Sequence, residues 1–213
     1  MSEIKNIIFD LGGVIMNIDF KLTEKAFADL GFDFAKHMTQ FHITPFFEDY
    51  ETGKINNTEF VKGIQQIAGA PLTEKEIIHA WNALLLDFPL ERIELLEKLK
   101  KKYRIFLLSN TNALHYEAFQ QTFYSLTGKR LEDIFEKTYY SHTVNLRKPD
   151  VAIYKLVLDE NKLKAEQTLF IDDTASNFSP AQQAGILTFH LKKPMQITEI
   201  PLFTEQSKNA GKL

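Results

Sequence analysis

Ile4-Lys5-Asn6-Ile7-Ile8-Phe9-Asp10-Leu11-Gly12-Gly13-Val14 opens the chain, an apolar run that halts on an aspartate and two glycines. The stretch from Ile4 to Phe9, rich in β-branched and aromatic side chains, has the length and composition of a buried strand. Asp10 then sits where such a strand leaves its sheet, and Gly12-Gly13 suits a tight turn. Four later runs read the same way, at 104–108, 138–141, 167–171 and 187–191. Helical patterns lie among them. Ile93, Leu96, Leu99 and Tyr103 repeat at helical spacing, as do Ile153, Leu156 and Val157, and residues 179–184 close on Gly185. This alternation predicts an α/β fold, a Rossmann-like parallel sheet with crossover helices.

Between the first two runs the pattern changes. Residues 19–89 are helical throughout, with a capping box at Thr73-Glu74-Lys75-Glu76 and punctuation at Gly31, Gly53 and Gly69-Ala70-Pro71. A stretch of this length exceeds one crossover, so the expectation is an inserted all-helical cap of three or four helices at 19–89. The core is then 1–18 and 90–213, and the polar segment after Pro201 is expected to fray.

Composition narrows the functional classes. With 25 basic against 28 acidic residues among 213, the net charge is −3, which leaves no basic footprint for nucleic acid. No apolar run approaches the ~18 residues of a membrane span. The absence of cysteine removes disulfides, thiol nucleophiles and thiolate metal sites. With no signal-peptide pattern at its start, the protein is expected to be soluble and cytoplasmic, with neither nucleic acid nor membrane as a partner.

Ligands of open parallel sheets bind beyond the carboxyl ends of the strands. Asp10 follows the first run, Ser109-Asn110-Thr111-Asn112 the second, Arg147-Lys148-Pro149-Asp150 lies in the loop after the third, and Asp172-Asp173 closes the fourth. Three crowded carboxylates repel unless a cation lies between them. An oxygen-only donor set points to Mg²⁺. Lys148 adds a second positive charge, Ser109 and backbone N–H groups suit phosphate oxygens, and a carboxylate aimed at phosphorus is a competent nucleophile. The constellation reads as phosphoryl transfer. G-x-G-x-x-G and G-x-x-x-x-G-K are both absent, which excludes the dinucleotide fingerprint and the NTPase P-loop, and the six histidines are scattered.

Asp10-Leu11-Gly12-Gly13-Val14, Ser109-Asn110, Lys148-Pro149 and Asp172-Asp173 resemble the four ordered motifs of the haloacid dehalogenase-like hydrolase superfamily. The helical insert resembles that superfamily's cap, so the likeness covers nearly the whole chain. It implies that Asp10 is the nucleophile and a Mg²⁺ ligand, with the Gly12 carbonyl and Asp173 completing the protein ligands. Ser109, Asn110, Lys148 and Gly12 would meet the substrate, with Ser109 and Lys148 also steadying Asp10. Asp172 stands where related motifs often have glycine, as a further ligand or a supporting residue, and Asn177 where many members have an acid.

One departure matters. Phosphatases of the superfamily usually carry a second aspartate two residues after the nucleophile, to protonate the leaving oxygen, and here that position is Gly12. A positioned general acid contributes ~10²–10⁴-fold. The anomeric oxygen of a sugar 1-phosphate needs protonation least, and residues 9–20 with 109–112 resemble a bacterial branch that includes α-D-glucose-1-phosphate phosphatase. Asp19, or a cap histidine such as His42, is a candidate proton donor. Phe41, Phe46 and Phe47 are candidates to line the cap over the site. The expected activity is therefore a Mg²⁺-dependent phosphatase of small metabolites, sugar phosphates first and sugar 1-phosphates favoured, acting through phospho-Asp10. The rivals are a 2-haloacid dehalogenase, which gains nothing from a metal-holding aspartate pair, and a non-catalytic phosphometabolite-binding protein, which has no chemical reason to keep all four motifs.

Overall fold

The structure is a computed structural model that describes residues 3–36, 38–39 and 42–204. The chain runs β1 (Asn6–Phe9), α1 (Phe20–Asp29), β2 (Met38–Thr39), β3 (His42–Ile43), α2 (Pro45–Glu51), α3 (Asn57–Ala68), α4 (Glu74–Asn82), α5 (Leu90–Leu99), β4 (Arg104–Ser109), α6 (Ala113–Thr127), β5 (Lys137–Tyr140), α7 (Ser141–Val144), α8 (Val151–Asn161), β6 (Thr168–Asp172), α9 (Phe178–Gln183) and β7 (Leu187–His190). Five strands form one sheet in the order β5-β4-β1-β6-β7, every neighbouring pair parallel. The α/β reading therefore holds, with strand ends displaced by one or two residues from the expected ones.

The central strands are apolar because both faces are covered. Ile7 and Phe9 pack into the cluster that holds Leu96, Ile105 and Phe123, while Ile8 joins Phe106, Tyr154 and Phe170 on the opposite face. The register aligns Phe9 with Leu107 on one side and with Ile171 on the other. Asp10, one residue on, thus leaves the sheet at its centre beside Ser109 and Asp172.

Residues between β1 and α5 build their own apolar cluster. Phe27, Phe34, Phe47, Phe60 and Trp81 interlock there, with Leu114 of α6 joining from below. The helices start where the chain supplies caps: Asn56 with Glu59 for α3, and Thr73 with Glu76 for α4, as the capping box predicts. One correction concerns the insert as a purely helical unit. β2 and β3 pair antiparallel there, Met38 with Ile43 and Thr39 with His42. Two residues per strand carry no periodicity, so the pair leaves no trace in the hydrophobic pattern.

A second correction concerns the phenylalanines. Phe47 is fully buried within the insert's own core, and Phe46 stacks on Phe60 with centroids 5.7 Å apart, so both pack the insert rather than line the site. Phe41 and residues 205–213 lie outside the described residues; of the segment after Pro201 that is expected to fray, Leu202 and Phe203 pack against the core. Among the described residues no helix is long and apolar enough to cross a membrane.

Candidate active site

The sheet's carboxyl edge gathers the polar residues from four separate parts of the chain. Asp10 is anchored by its N–H to the Ile171 carbonyl at 2.9 Å. Lys148, only 2% exposed, donates through Nζ to Asp10 Oδ1 at 2.6 Å and to Asp172 Oδ2 at 2.7 Å. Its ammonium also lies 5.4 Å from the centre of the Phe170 ring. A surface lysine would be mobile; this one is fixed by two buried carboxylates and an aromatic face.

The loop that delivers Lys148 is held from β4. Asn110 Nδ2 donates to the Lys148 carbonyl and its Oδ1 accepts from the Lys148 N–H, both at 2.8 Å. Both polar atoms of the Asn110 side chain are thereby engaged with the lysine backbone rather than turned toward a ligand. Lys148–Pro149 is a cis peptide. A second clasp joins the same loops, with Thr111 N–H donating to Ser141 Oγ and Ser141 Oγ donating to the Thr111 carbonyl, each at 2.9 Å. Ser109 is 3% exposed at the end of β4.

Asp172 is entirely buried and its oxygens are fully engaged. Oδ1 accepts from Thr174 N–H at 2.7 Å, and Oδ2 accepts from Asn177 Nδ2 at 2.9 Å as well as from Lys148. Asn177, in the position where an acid was the family expectation, thus orients Asp172. Asp173 differs: it is partly exposed, with Oδ1 near Thr174 Oγ1 at 3.1 Å and its own carbonyl facing His190 Nε2 at 3.0 Å.

One oxygen from each of Asp10, Asp172 and Asp173 can be chosen so that all lie within 4.8 Å of one another. The electrostatics match that crowding. Burial pushes the Asp10 carboxyl up to about 7, with Asp172 and Asp173 adding to the rise and Lys148 opposing it. Burial and Asp172 raise Asp173 as well. Burial alone would pull Lys148 down, but Asp10 and Asp172 outweigh it and hold the ammonium protonated above its ordinary range. Three carboxylates share one lysine, a negative surplus that fits a small hard cation with oxygen ligands. Gly13 fits as well. Its φ is +75°, and a Cβ there would stand 2.3 Å from Asp173 Oδ2, so the turn leaves room for that carboxylate.

At Gly12, a Cβ would meet Ile18 Cδ1 at 2.8 Å. An apolar side chain therefore stands where a longer residue at position 12 would project. Asp19 accepts from Lys21 N–H at 3.0 Å and serves as the N-cap of α1. The side chain of His42 lies outside the described residues.

A cavity opens from this edge toward the insert. It is lined by Gly12, Ser109 and Asn110 at the sheet, by apolar side chains including Ile18 and Leu84, and by Glu51 of α2. Glu51 is a residue that sequence reasoning passed over. It is 7% exposed, and its Oε2 accepts from Arg147 Nε at 3.1 Å and lies 3.0 Å from Arg147 Nη2. The signal was present: Phe47, Tyr50 and Glu51 share the buried stripe of α2 at helical spacing, and an acid on an apolar stripe marks a specific partner. Nearby, Asn145 Nδ2 donates to the Thr52 carbonyl at 2.8 Å. His115, pushed down to about 4 by burial, is neutral; it faces the Trp81 carbonyl at 3.0 Å and Asn112 Nδ2 at 3.0 Å.

Residues 4–185 match the haloacid dehalogenase-like hydrolase family. D-ribitol-5-phosphate phosphatase of Bacteroides thetaiotaomicron is 34% identical over 187 residues, covering 87% of this chain and 91% of the relative. Among solved structures, a HAD-family enzyme of Bacteroides thetaiotaomicron in complex with magnesium and inorganic phosphate superposes with a TM-score of 0.84 at 35% identity, over 92% of this chain and 98% of that one. An L-2-haloacid dehalogenase superposes with a TM-score of 0.60 at 17% identity, over 93% of this chain and 92% of that one, a likeness of fold alone.

Proposed function

The chain belongs to the haloacid dehalogenase-like hydrolase family and is one of its phosphatases, and we propose that it is a Mg²⁺-dependent enzyme acting on small phosphorylated sugars or polyols through a phospho-aspartate. The observation that carries this reading is the buried Lys148 ammonium clamped between Asp10 and Asp172 with Asp173 alongside. A 2-haloacid dehalogenase has no use for that carboxylate surplus.

Asp10, Asp173 and the Gly12 carbonyl would hold the ion. Asp172, whose oxygens are already engaged, acts as the residue that positions Lys148. When bound, Mg²⁺ supplies a Lewis acid that offsets the charge of the carboxylates and of a phosphoryl oxygen. Asp10 attacks phosphorus. The bond from phosphorus to the leaving oxygen breaks, and its electron pair passes to that oxygen, which takes up a proton. Lys148 and Ser109 hold the phosphoryl oxygens, and Asn110 keeps Lys148 in place through its backbone. Water then attacks phospho-Asp10 and releases inorganic phosphate, restoring the carboxylate. Residues 19–89 act as a cap, closing the cavity and excluding bulk water, and the protein works in the cytoplasm.

Gly12 bears on the substrate. Without a carboxylic acid at this position the leaving oxygen receives less help, which favours the anomeric oxygen of a sugar 1-phosphate. The D-ribitol-5-phosphate relative supports an open-chain polyol instead. Phosphate release from sugar 1-phosphates, sugar 6-phosphates and polyol 5-phosphates, with Mg²⁺ or EDTA, decides between them. Mg²⁺-dependent release that Asp10→Asn abolishes is the expected result. Release that survives Asp10→Asn overturns the mechanism, and a 1-phosphate no better than a 6-phosphate overturns the leaving-group argument.

A further inference from the structure

We infer that Glu51 is a specificity-determining residue, whose free carboxylate oxygen accepts hydrogen bonds from the hydroxyls of the leaving alcohol and repels substrates carrying a second anion. The inference rests on the phosphatase reading above and identifies what the cavity recognises beyond the phosphoryl group.

The argument begins with what else the cavity offers. Apolar side chains, among them Ile18, Leu84 and Phe119, make up most of its wall. Of the polar side chains nearer the sheet, Ser109 is assigned to the phosphoryl group and Thr111 offers a neutral hydroxyl. Asn110 is turned to the Lys148 backbone, and both ring nitrogens of His115 face partners. Glu51 is the remaining charged group of the wall, and it enters from the insert, away from the strand ends.

The carboxylate itself is asymmetric. Both contacts from Arg147 converge on Oε2, and among the described residues no hydrogen bond reaches Oε1. Arg147 is adjacent in sequence to Lys148, so the same loop that positions the phosphoryl-binding lysine also fixes Glu51. An acceptor oxygen with no protein donor, in a cavity walled largely by apolar side chains, is best served by a ligand that donates an O–H. Sugars and polyols present such hydroxyls. A second phosphate or a carboxylate on the substrate would be repelled by the same oxygen, which gives discrimination against a wrong ligand as well as attraction to a right one.

The test compares kcat/KM for D-ribitol 5-phosphate, α-D-glucose 1-phosphate, a sugar bisphosphate and p-nitrophenyl phosphate, which has no hydroxyl on its leaving group. Wild type, Glu51→Ala and Glu51→Gln are measured. Loss of a hydrogen bond to a charged group predicts that the ratio of the better hydroxylated substrate to p-nitrophenyl phosphate falls about 10- to 100-fold in Glu51→Ala, chiefly through KM. Glu51→Gln keeps an acceptor oxygen, so it recovers part of that ratio while admitting the bisphosphate. Should Glu51→Ala fail to fold, the near-isosteric Glu51→Gln carries the test through its bisphosphate activity. Equal loss on every substrate would reduce Glu51 to a structural partner of Arg147, and an unchanged ratio would remove it from recognition. Either result overturns the inference while leaving the phosphatase reading intact. Failure of wild type to hydrolyse any of the four overturns the reading beneath it.

Discussion

Asn110 and Lys148 exchange two hydrogen bonds of 2.8 Å, amide to carbonyl and backbone N–H to side-chain oxygen. A side chain on one strand end thereby acts as a surrogate ladder partner for a loop 38 residues away. It fixes the backbone from which the lysine's ammonium reaches both aspartates.

Asn110→Ala releases that loop while leaving every charge in place. The expected outcome is a fall in kcat of about 10- to 100-fold, since small displacements of a reacting group are costly. Steady-state kinetics check it, and Asn110→Asp, which keeps the acceptor but sets a carboxylate oxygen against the Lys148 carbonyl, should be no milder than Asn110→Ala.

The contrast between Asp172 and Asp173 is a second test. Asp173 is the carboxylate with room for an ion, whereas Asp172 is wrapped by Lys148, Thr174 and Asn177. Asp173→Asn should raise the Mg²⁺ needed for half-maximal activity by about 100-fold. Asp172→Asn should raise it by about tenfold at most and act mainly on kcat. Titration of activity with Mg²⁺ reads both.

Gly13→Ala is expected to damage the same feature from the backbone side. A left-handed φ costs a non-glycine residue about 1–2 kcal/mol. Its Cβ would also stand 2.3 Å from Asp173 Oδ2 and push the carboxylate away. Thermal melting should show the first effect, and a Mg²⁺ activation curve displaced to higher concentration the second.

Acidity at Asp10 predicts a pH dependence of stability. The folded, metal-free protein keeps the Asp10 proton up to about pH 7, whereas the unfolded chain releases it near 3.8. The folded state therefore binds more protons across that window, and this group's contribution to stability falls as the pH rises through it. Mg²⁺ competes with the proton, so the rise in Tm on adding Mg²⁺ should be larger at pH 8 than at pH 5. Melting curves with EDTA and with Mg²⁺ measure this, and Asp10→Asn should flatten both trends.

At position 12 the prediction couples two residues. Gly12→Asp alone meets Ile18, whose Cδ1 lies 2.8 Å from the new Cβ. Combined with Ile18→Ala, the same change should raise kcat for phosphates of poorly acidic alcohols more than either single variant does. Rate comparison across alkyl and aryl phosphates detects the non-additivity.

Much of this arrangement was legible in one dimension. Buried strands of a parallel sheet are unbroken apolar runs, so Asp10, Ser109 and Asp172 announced themselves as the polar residues at which those runs stop. Strand order was not legible, because nothing in the apolar runs of β4 and β6 says that β1 lies between them. Nor were contacts such as Glu51 with Arg147, 96 residues apart, which exist only once α2 settles on the loop before Lys148. Asn110 reads in the sequence as a substrate-binding residue, and only the path of the Lys148 loop shows that its side chain holds backbone instead.

The insert's aromatic cluster is almost self-sufficient, with Leu114 its one buried member, among the described residues, from the sheet-bearing part of the chain. Polar contacts cross the seam as well, Glu51 to Arg147, Thr52 to Asn145 and Trp81 to Asn112 and His115, and the Trp81 ring stacks on His115 with centroids 4.8 Å apart. Water can stand in for such partners far more cheaply than for apolar contacts. If the two halves part, water can replace the polar partners, while Leu114 and the Trp81–His115 stack are apolar contacts that would be lost. A substrate that touches both halves would add its binding energy to the arrangement that holds them together.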